Sequence, residues 1–229
     1  PDVIDRQVTH LPRLIDDLLD VSRISRGKLE LRRSRVTLAE VVESALESSR
    51  PLIEQFGHHL TIELPTRPVL LDADLVRLSQ VFMNLLNNSA KYTPKGGRIW
   101  LLAEIEPPAS EDPVAVVVRV RDSGVGIPAE KLPRLFEMFV QLEAQPGRPN
   151  GGLGIGLALV RHLVEMHGGE VEASSPGPGL GSEFAVRLPT VAGARMPAAN
   201  DPARAGGDSP PVRRRILVVD DLPDNAASL

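Results

Sequence analysis

Residues 75–93 constrain this chain most, because they carry two helical faces at once. Leu75, Leu78, Phe82, Leu85, Leu86 and Ser89 recur at three- and four-residue steps and make one buried stripe. Asn84, Asn88 and Lys91 fall at i, i+4 and i+7, so they share a second face, and that face is polar. Two amide oxygens and an ammonium on one stripe suit a divalent cation and a phosphate chain. Magnesium takes oxygen ligands and keeps several waters, so one Asn carbonyl is enough protein for it. The plain alternative is a solvated helix face, since Asn and Lys are mostly exposed.

The flanking sequence predicts the layer on which this helix lies. Residues 38–56 read as a second amphipathic helix (Leu38, Val41, Val42, Ala45, Leu46, Leu52, Ile53), with Thr37 as its cap and Pro51 as a bend. Residues 59–64 alternate as a strand, and 69–71 form a short one. Asp74 caps the helix that follows, which Pro94 and the Lys95-Gly96-Gly97 turn end. Residues 98–105 and 114–121 are strands joined by a Pro-rich loop. A helix over 157–167 and strands over 170–174 and 183–188 complete the order. The expected fold is a two-layer α/β sandwich, a mixed sheet covered on one face by helices, over residues 36–190.

Outside this block the pattern changes. Within residues 1–30, Leu11, Leu14, Leu18 and Val21 form an apolar stripe that Ile15 and Leu19 widen. An isolated helix with so broad a face needs partner helices, from elsewhere in a parent chain or from a second subunit. Pro12 kinks it or delays its regular part, and Gly27 is a plausible stop. Residues 191–212 are rich in Ala, Pro, Gly and Asp without periodicity and read as a flexible linker. In residues 213–229, Ile216 to Val219 read as a buried strand that ends in Asp220 and Asp221.

Composition excludes several function classes. A formal net charge of -4 gives no electrostatic case for nucleic acid, and 3% aromatic residues leave few stacking platforms for single strands. There are no cysteines, hence no disulfides or thiolate metal sites, which fits a reducing compartment. No apolar run approaches the ~20 residues of a membrane span, and no signal peptide is visible. The expectation is a cytoplasmic protein. The chain starts at Pro1 and reads as a piece of something longer, whose membrane anchor, if it has one, lies outside.

Three glycine stretches carry chemistry. Asp122-Ser-Gly-Val-Gly126 follows a strand; its carboxylate can accept a hydrogen bond from an amino group such as that of adenine, and its glycines allow close backbone approach to a ligand. Gly151-Gly-Leu-Gly-Ile-Gly156 runs into a helix, whose free amides form an anion site. Gly177-Pro-Gly-Leu-Gly181, followed by Ser182 and Phe184, is a third close-approach turn. Each alone is a common kind of turn.

Together, in this order behind the Asn helix, they resemble the catalytic ATP-binding domain of sensor histidine kinases, one of the Bergerat-type ATPases. Residues 84–93 match the N box, 122–126 the first glycine box, 136–139 (Phe-Glu-Met-Phe) the F box and 152–156 the second glycine box. Residues 179–184 match the last glycine box, with Ser182 where the family usually has Thr. Residues 17–24 resemble the second helix of the dimerisation and phospho-acceptor hairpin. The resemblance implies ATP and Mg2+ as ligands and a homodimeric parent. It implies that Asn88 holds the metal, assisted by Asn84, that Lys91 contacts a phosphate, and that Tyr92 contacts adenine. Asp122 would read the adenine amino group in a pocket shaped by Gly124 and Gly126, with Ser182 beside it. Gly152, Gly154 and Gly156 would form the hinge of a mobile lid over residues 127–151. Arg134 and Arg148 are candidates for phosphate contact, against the plainer reading of solvated arginines.

The same resemblance distinguishes kinase from hydrolase. Gyrase, mismatch-repair and chaperone relatives carry a glutamate, one turn before the metal-binding Asn, that activates water. Here that position is Asn84, and an amide takes no proton at neutral pH. The expected function is transfer of the γ-phosphoryl group of Mg-ATP to a histidine on a dimerisation helix. The alternatives are an ATP-hydrolysing Bergerat-fold ATPase and a non-catalytic nucleotide-binding scaffold. His10 lies on what resembles the second hairpin helix and is followed by Leu11, not an acidic residue, so the acceptor histidine is expected outside the chain. His58, His59, His162 and His167 lie on the wrong elements. Residues 216–221 resemble the first strand of a response-regulator receiver domain, where Asp220 and Asp221 would bind magnesium. The parent would be a hybrid kinase passing phosphate to its own receiver or to a separate one.

Overall fold

The computed structural model describes residues 29–106, 114–140 and 154–191. The hairpin helix with His10, the linker, Gly152, Arg148 and the Asp220-Asp221 pair lie outside the described residues. The chain divides into a unit over residues 1–194 and a second over 195–229, and all that follows concerns the first.

The order of elements is β1 (Ser34–Thr37), α1 (Leu38–Gln55), β2 (His59–Glu63), β3 (Leu70–Ala73), α2 (Leu75–Tyr92), β4 (Arg98–Glu106), β5 (Ala115–Asp122), a 3-10 helix (Ala129–Arg134), α3 (Gly156–Met166), β6 (Glu170–Ser174) and β7 (Ser182–Pro189). A five-stranded mixed sheet runs β2-β4-β5-β7-β6, parallel only between β2 and β4. That parallel pair needs a crossover, which β3 and α2 supply. One face of the sheet is the core face. Leu101, Val120 and Phe184 stand in one register row and Ala103, Val118 and Val186 in the next, all buried under the helices. The helices contribute Val41, Ala45, Leu78, Phe82, Leu85, Leu86, Leu159 and Leu163. The other face carries charge. Arg121 stacks over the Trp100 ring at 5.5 Å, and Arg119–Glu183 (3.4 Å) and Arg187–Glu106 (2.8 Å) form ion pairs across strands. The fold is the expected two-layer α/β sandwich.

Local chemistry starts both long helices. Thr37 and Glu40 close a capping box on α1: Thr37 Oγ1 accepts from the Glu40 amide at 3.2 Å, and the Thr37 amide donates to Glu40 Oε2 at 2.7 Å. The Thr37 amide and, at 2.8 Å, the Thr37 hydroxyl donate to Glu40 Oε2 and hold its carboxyl below its usual pKa. Pro51 sits inside α1 without ending it. Asp74 caps α2, its Oδ1 accepting from the Arg77 amide at 3.2 Å.

Two features depart from expectation. β1 pairs antiparallel with β3 as a separate two-stranded sheet, and on the other side of Leu70 the Val191 amide donates to the Leu70 carbonyl at 2.9 Å. Both the leading and the trailing segments of the domain therefore lie against β3. In addition, the first half of the segment expected as a mobile lid is folded onto the domain. Ile127 and Leu135 are buried and the 3-10 helix lies between them, because these apolar side chains gain more from the core than from water. No helix among the described residues is long and apolar enough to cross a membrane.

The nucleotide-binding cleft

Between α2, the end of β5 and the start of α3 lies a cleft with about 380 Å³ of empty space, its mouth included. It is lined by Asn88, Ser89 and Tyr92 from α2, Asp122, Val125, Gly126, Ile127, Leu135, Leu157 from α3, and Ser182 and Phe184 from β7. Its mostly apolar lining around few polar groups is that of a small-molecule site.

Asp122 is the polar group at its centre. The carboxyl is 4% exposed. Oδ1 accepts from the Gly124 amide at 2.8 Å and Oδ2 from the Ser182 hydroxyl at 2.6 Å. Ser182 is the register partner of Asp122 across β5 and β7, so the sheet itself sets this bond. Burial pushes the Asp122 carboxyl above its usual pKa, and the bonds from Ser182 and Gly124 pull against that, with Ser89 acting in the same sense. Tyr92 is half-buried on the opposite wall, and burial raises its phenol pKa.

The polar face of α2 is less uniform than its spacing suggests. Asn88 lines the cleft and is partly exposed. Asn84, one turn earlier, is 6% exposed and faces the start of α3; a Cβ on Gly156 would stand 3.8 Å from its Oδ1. Lys91 is exposed at the last turn of α2. Arg134 pairs with Glu137 at 3.0 Å on the surface.

The glycines serve the protein more than a ligand. Gly126 has φ +69° and its missing Cβ would lie 2.0 Å from the Gly177 carbonyl oxygen; at Gly181, φ +79°, the clash is with the Asp122 carbonyl at 2.0 Å. The Gly179 amide donates to the Val125 carbonyl at 2.6 Å, and the Gly181 amide to the Gly124 carbonyl at 3.1 Å. The first and last glycine motifs are thus fastened together, and this joint fixes the Asp122 carboxyl. Gly154, φ +72°, accepts at its carbonyl from the Phe139 amide at 3.0 Å. Phe136 packs edge-on against Phe184 at 6.4 Å.

Ile127, Leu135 and Leu157 line the cleft and are not singled out by sequence reasoning. Their only signal is that each is an apolar residue next to a glycine or Phe motif. Among the described residues no three His, Cys, Asp or Glu side chains gather into a metal cage.

A helix-covered mixed sheet whose cleft joins a buried carboxylate, an amide-bearing helix and a glycine turn opening a further helix defines a nucleotide-binding α/β domain. The chain belongs to the family described as histidine kinase-, DNA gyrase B- and HSP90-like ATPases, whose model matches residues 73–192, more than half of the chain. Within it, the domain is of the histidine-kinase catalytic type. The chain is 35% identical over 232 residues to the autoinducer 2 sensor kinase/phosphatase LuxQ of Vibrio parahaemolyticus, covering 98% of this chain and 26% of that protein. The mycobacterial sensor histidine kinase MprB superposes with a TM-score of 0.58 at 28% identity, covering 69% of this chain and 98% of that one. The full-length crystal structure of ShkA in complex with AMPPNP gives 0.63 at 28% identity, covering 80% and 36%. The chain spans 21% to 26% of the length of the first curated relatives it matches.

Proposed function

We propose that this chain is the phosphoryl-donating part of a sensor histidine kinase that moves the γ-phosphoryl group of Mg-ATP to a histidine on a dimerisation helix. Asp122 accepts the adenine amino group's hydrogen bond, and Gly124, Gly126, Ser182 and Tyr92 enclose the base. Asn88 offers its carbonyl oxygen to magnesium, with Asn84 assisting through the phosphates or the metal's water and Lys91 on a phosphate. Gly152, Gly154 and Gly156 offer backbone amides at the start of α3. The donor set fits magnesium: Asn88 presents an amide oxygen at the cleft, and waters and phosphate oxygens would supply the remaining ligands. When bound, the ion would neutralise charge developing on the phosphate oxygens.

One observation carries the choice of kinase over hydrolase. Among the described residues lining the cleft, Asp122 is the only carboxylate and there is no imidazole; on the α2 side the groups are the Asn88 amide, the Ser89 hydroxyl and the Tyr92 phenol. Asp122 is engaged with Gly124 and Ser182. Among the described residues lining the cleft none is placed to take a proton from water, so ATP would persist until an external nucleophile arrives. That the related ShkA binds AMPPNP supports the nucleotide reading. The acceptor histidine belongs to a homodimeric parent, which passes phosphate to a receiver aspartate of its own or of a separate regulator; Asp220 and Asp221 fit the acidic pair of such a receiver.

The test is to incubate the parent protein with γ-labelled ATP. The expected product is acid-labile, base-stable label on protein, absent in Asn88→Ala. Many turnovers of ADP release with no labelled protein would favour a hydrolase and overturn the proposal.

A further inference from the structure

His167 is buried at 3% exposure, far from the cleft, and its hydrogen bonds determine its tautomer. Nδ1 lies 2.7 Å from the Leu163 carbonyl, which can only accept, so Nδ1 carries the proton. Nε2 therefore presents its lone pair, and the Asp74 amide donates to it at 3.1 Å. Asp74 is the cap of α2, and its Oδ2 accepts from the Arg32 amide at 2.9 Å. Arg33 donates to the Met166 carbonyl at the end of α3 and lies 3.8 Å from Asp72. One imidazole thus connects the start of α2, the end of α3 and, through Asp74, the segment leading into the domain.

The two helices run in opposite directions and meet at two levels. At the far end His167 connects Asp74 to Leu163. At the near end Gly156, the first residue of α3, lies beside Asn84. Asp74 and Asn84 are ten residues apart, about 15 Å along the helix. A slip of α2 along α3 would move Asn84 and Asn88 against the amides that open α3.

We propose that His167 is a positioning residue for the phosphoryl-donor site: it sets the register of α2 against α3 and links that register to the leading segment Arg32–Arg33. This rests on the kinase reading only for what the cleft binds. The role needs the neutral ring. A proton on Nε2 would turn the acceptor into a donor facing the Asp74 amide. The groups acting on the ring are the Leu163 carbonyl from α3, Arg33 from the leading segment, Asp72 from β3 and Asp74 from the α2 cap. Burial and Arg33 oppose the charged form and outweigh the two carboxylates and the carbonyl, so the ring is neutral at pH 7.

The test compares His167→Gln, whose amide oxygen can replace Nε2 as acceptor, with His167→Leu, which leaves the Asp74 amide without one. Mg-ATP affinity is measured by calorimetry at about pH 8, where the ring is neutral. Circular dichroism monitors folding, and Asp122→Asn serves as the control for the cleft. At pH 8 the Gln variant should bind within about twofold of wild type and the Leu variant about tenfold more weakly. A folded Leu variant that binds like wild type, or a folded Gln variant that binds as weakly as the Leu variant, overturns the positioning role. If the Leu variant does not fold, a Gln variant that loses about tenfold or more in affinity overturns it. If wild type binds no Mg-ATP, or binds no better than Asp122→Asn, the reading of the cleft fails instead.

Discussion

Replacing Asp122 by Asn separates what this residue does for the fold from what it does for the ligand. Wild-type Asp122 holds the Gly124 amide on Oδ1 and the Ser182 hydroxyl on Oδ2. Asn keeps an oxygen for Gly124, and its amino group can donate to Ser182 once that hydroxyl rotates, so both internal bonds survive. The variant also removes a buried charge. Burial raises the Asp122 pKa, so ionising it opposes folding. The sign follows from linkage: stability associated with a raised carboxyl pKa is complete below the unfolded value, near 3.8, and is lost as pH rises through the folded one. At pH 7 wild type therefore bears a cost the variant lacks, and the variant's melting temperature should be equal or higher. Below about pH 3.8 the difference should vanish. Binding moves the other way. A hydrogen bond to a charged acceptor contributes about 1.5–3 kcal/mol, so its loss should weaken ATP binding about ten- to a hundred-fold. Calorimetric titration and thermal melts on the same preparations test both limbs. Unchanged affinity in a folded variant refutes the adenine role, and a clearly lowered melting temperature at pH 7 refutes the account of the carboxyl's burial.

Asn88→Ala should abolish the difference in ATP affinity between magnesium and chelator; a variant that still responds to magnesium would transfer the metal to Asn84. Asn84→Glu restores the carboxylate of the hydrolysing relatives and should raise steady ADP release; an unchanged rate would weaken the missing-base argument. Gly126→Ala forces φ +69° on a residue with a Cβ and drives that atom into the Gly177 carbonyl, so it should cost about 2 kcal/mol or more in denaturant melts. A loss under about 0.5 kcal/mol would show that the two glycine turns separate easily.

Much of the fold is legible because its signals are local. The Thr37–Glu40 box, the Asp74 cap and the alternation of β4, β5 and β7 each lie within a few residues of the structure they determine. β1 is not legible: four residues without alternation become a strand only because β3 lies opposite. In the cleft, Asp122 and Asn88 follow from type and spacing, whereas Asn84 shares the α2 stripe of Asn88 yet turns toward α3. The glycines show how a correct position can carry an incomplete reason. Gly126 and Gly181 suggest room for a ligand, but what approaches them is the chain's own carbonyl oxygens at Gly177 and Asp122. His167 seems idle in the sequence, since its partner Asp74 is remote along the chain and only the packing of α2 on α3 joins them.

The placement of β3 has a mechanical consequence. The chain reaches the domain through β1, paired with β3, and leaves it at Val191, bonded to Leu70. Tension between the two connections would first load the β1–β3 ladder and the Val191–Leu70 and Thr190–Val114 bonds. The cleft-forming ends of β5 and β7, at Asp122 and Ser182, are the far ends of those strands from this anchor. The bonds that hold the chain's entry and exit to β3 therefore lie at the other end of β5 and β7 from the cleft.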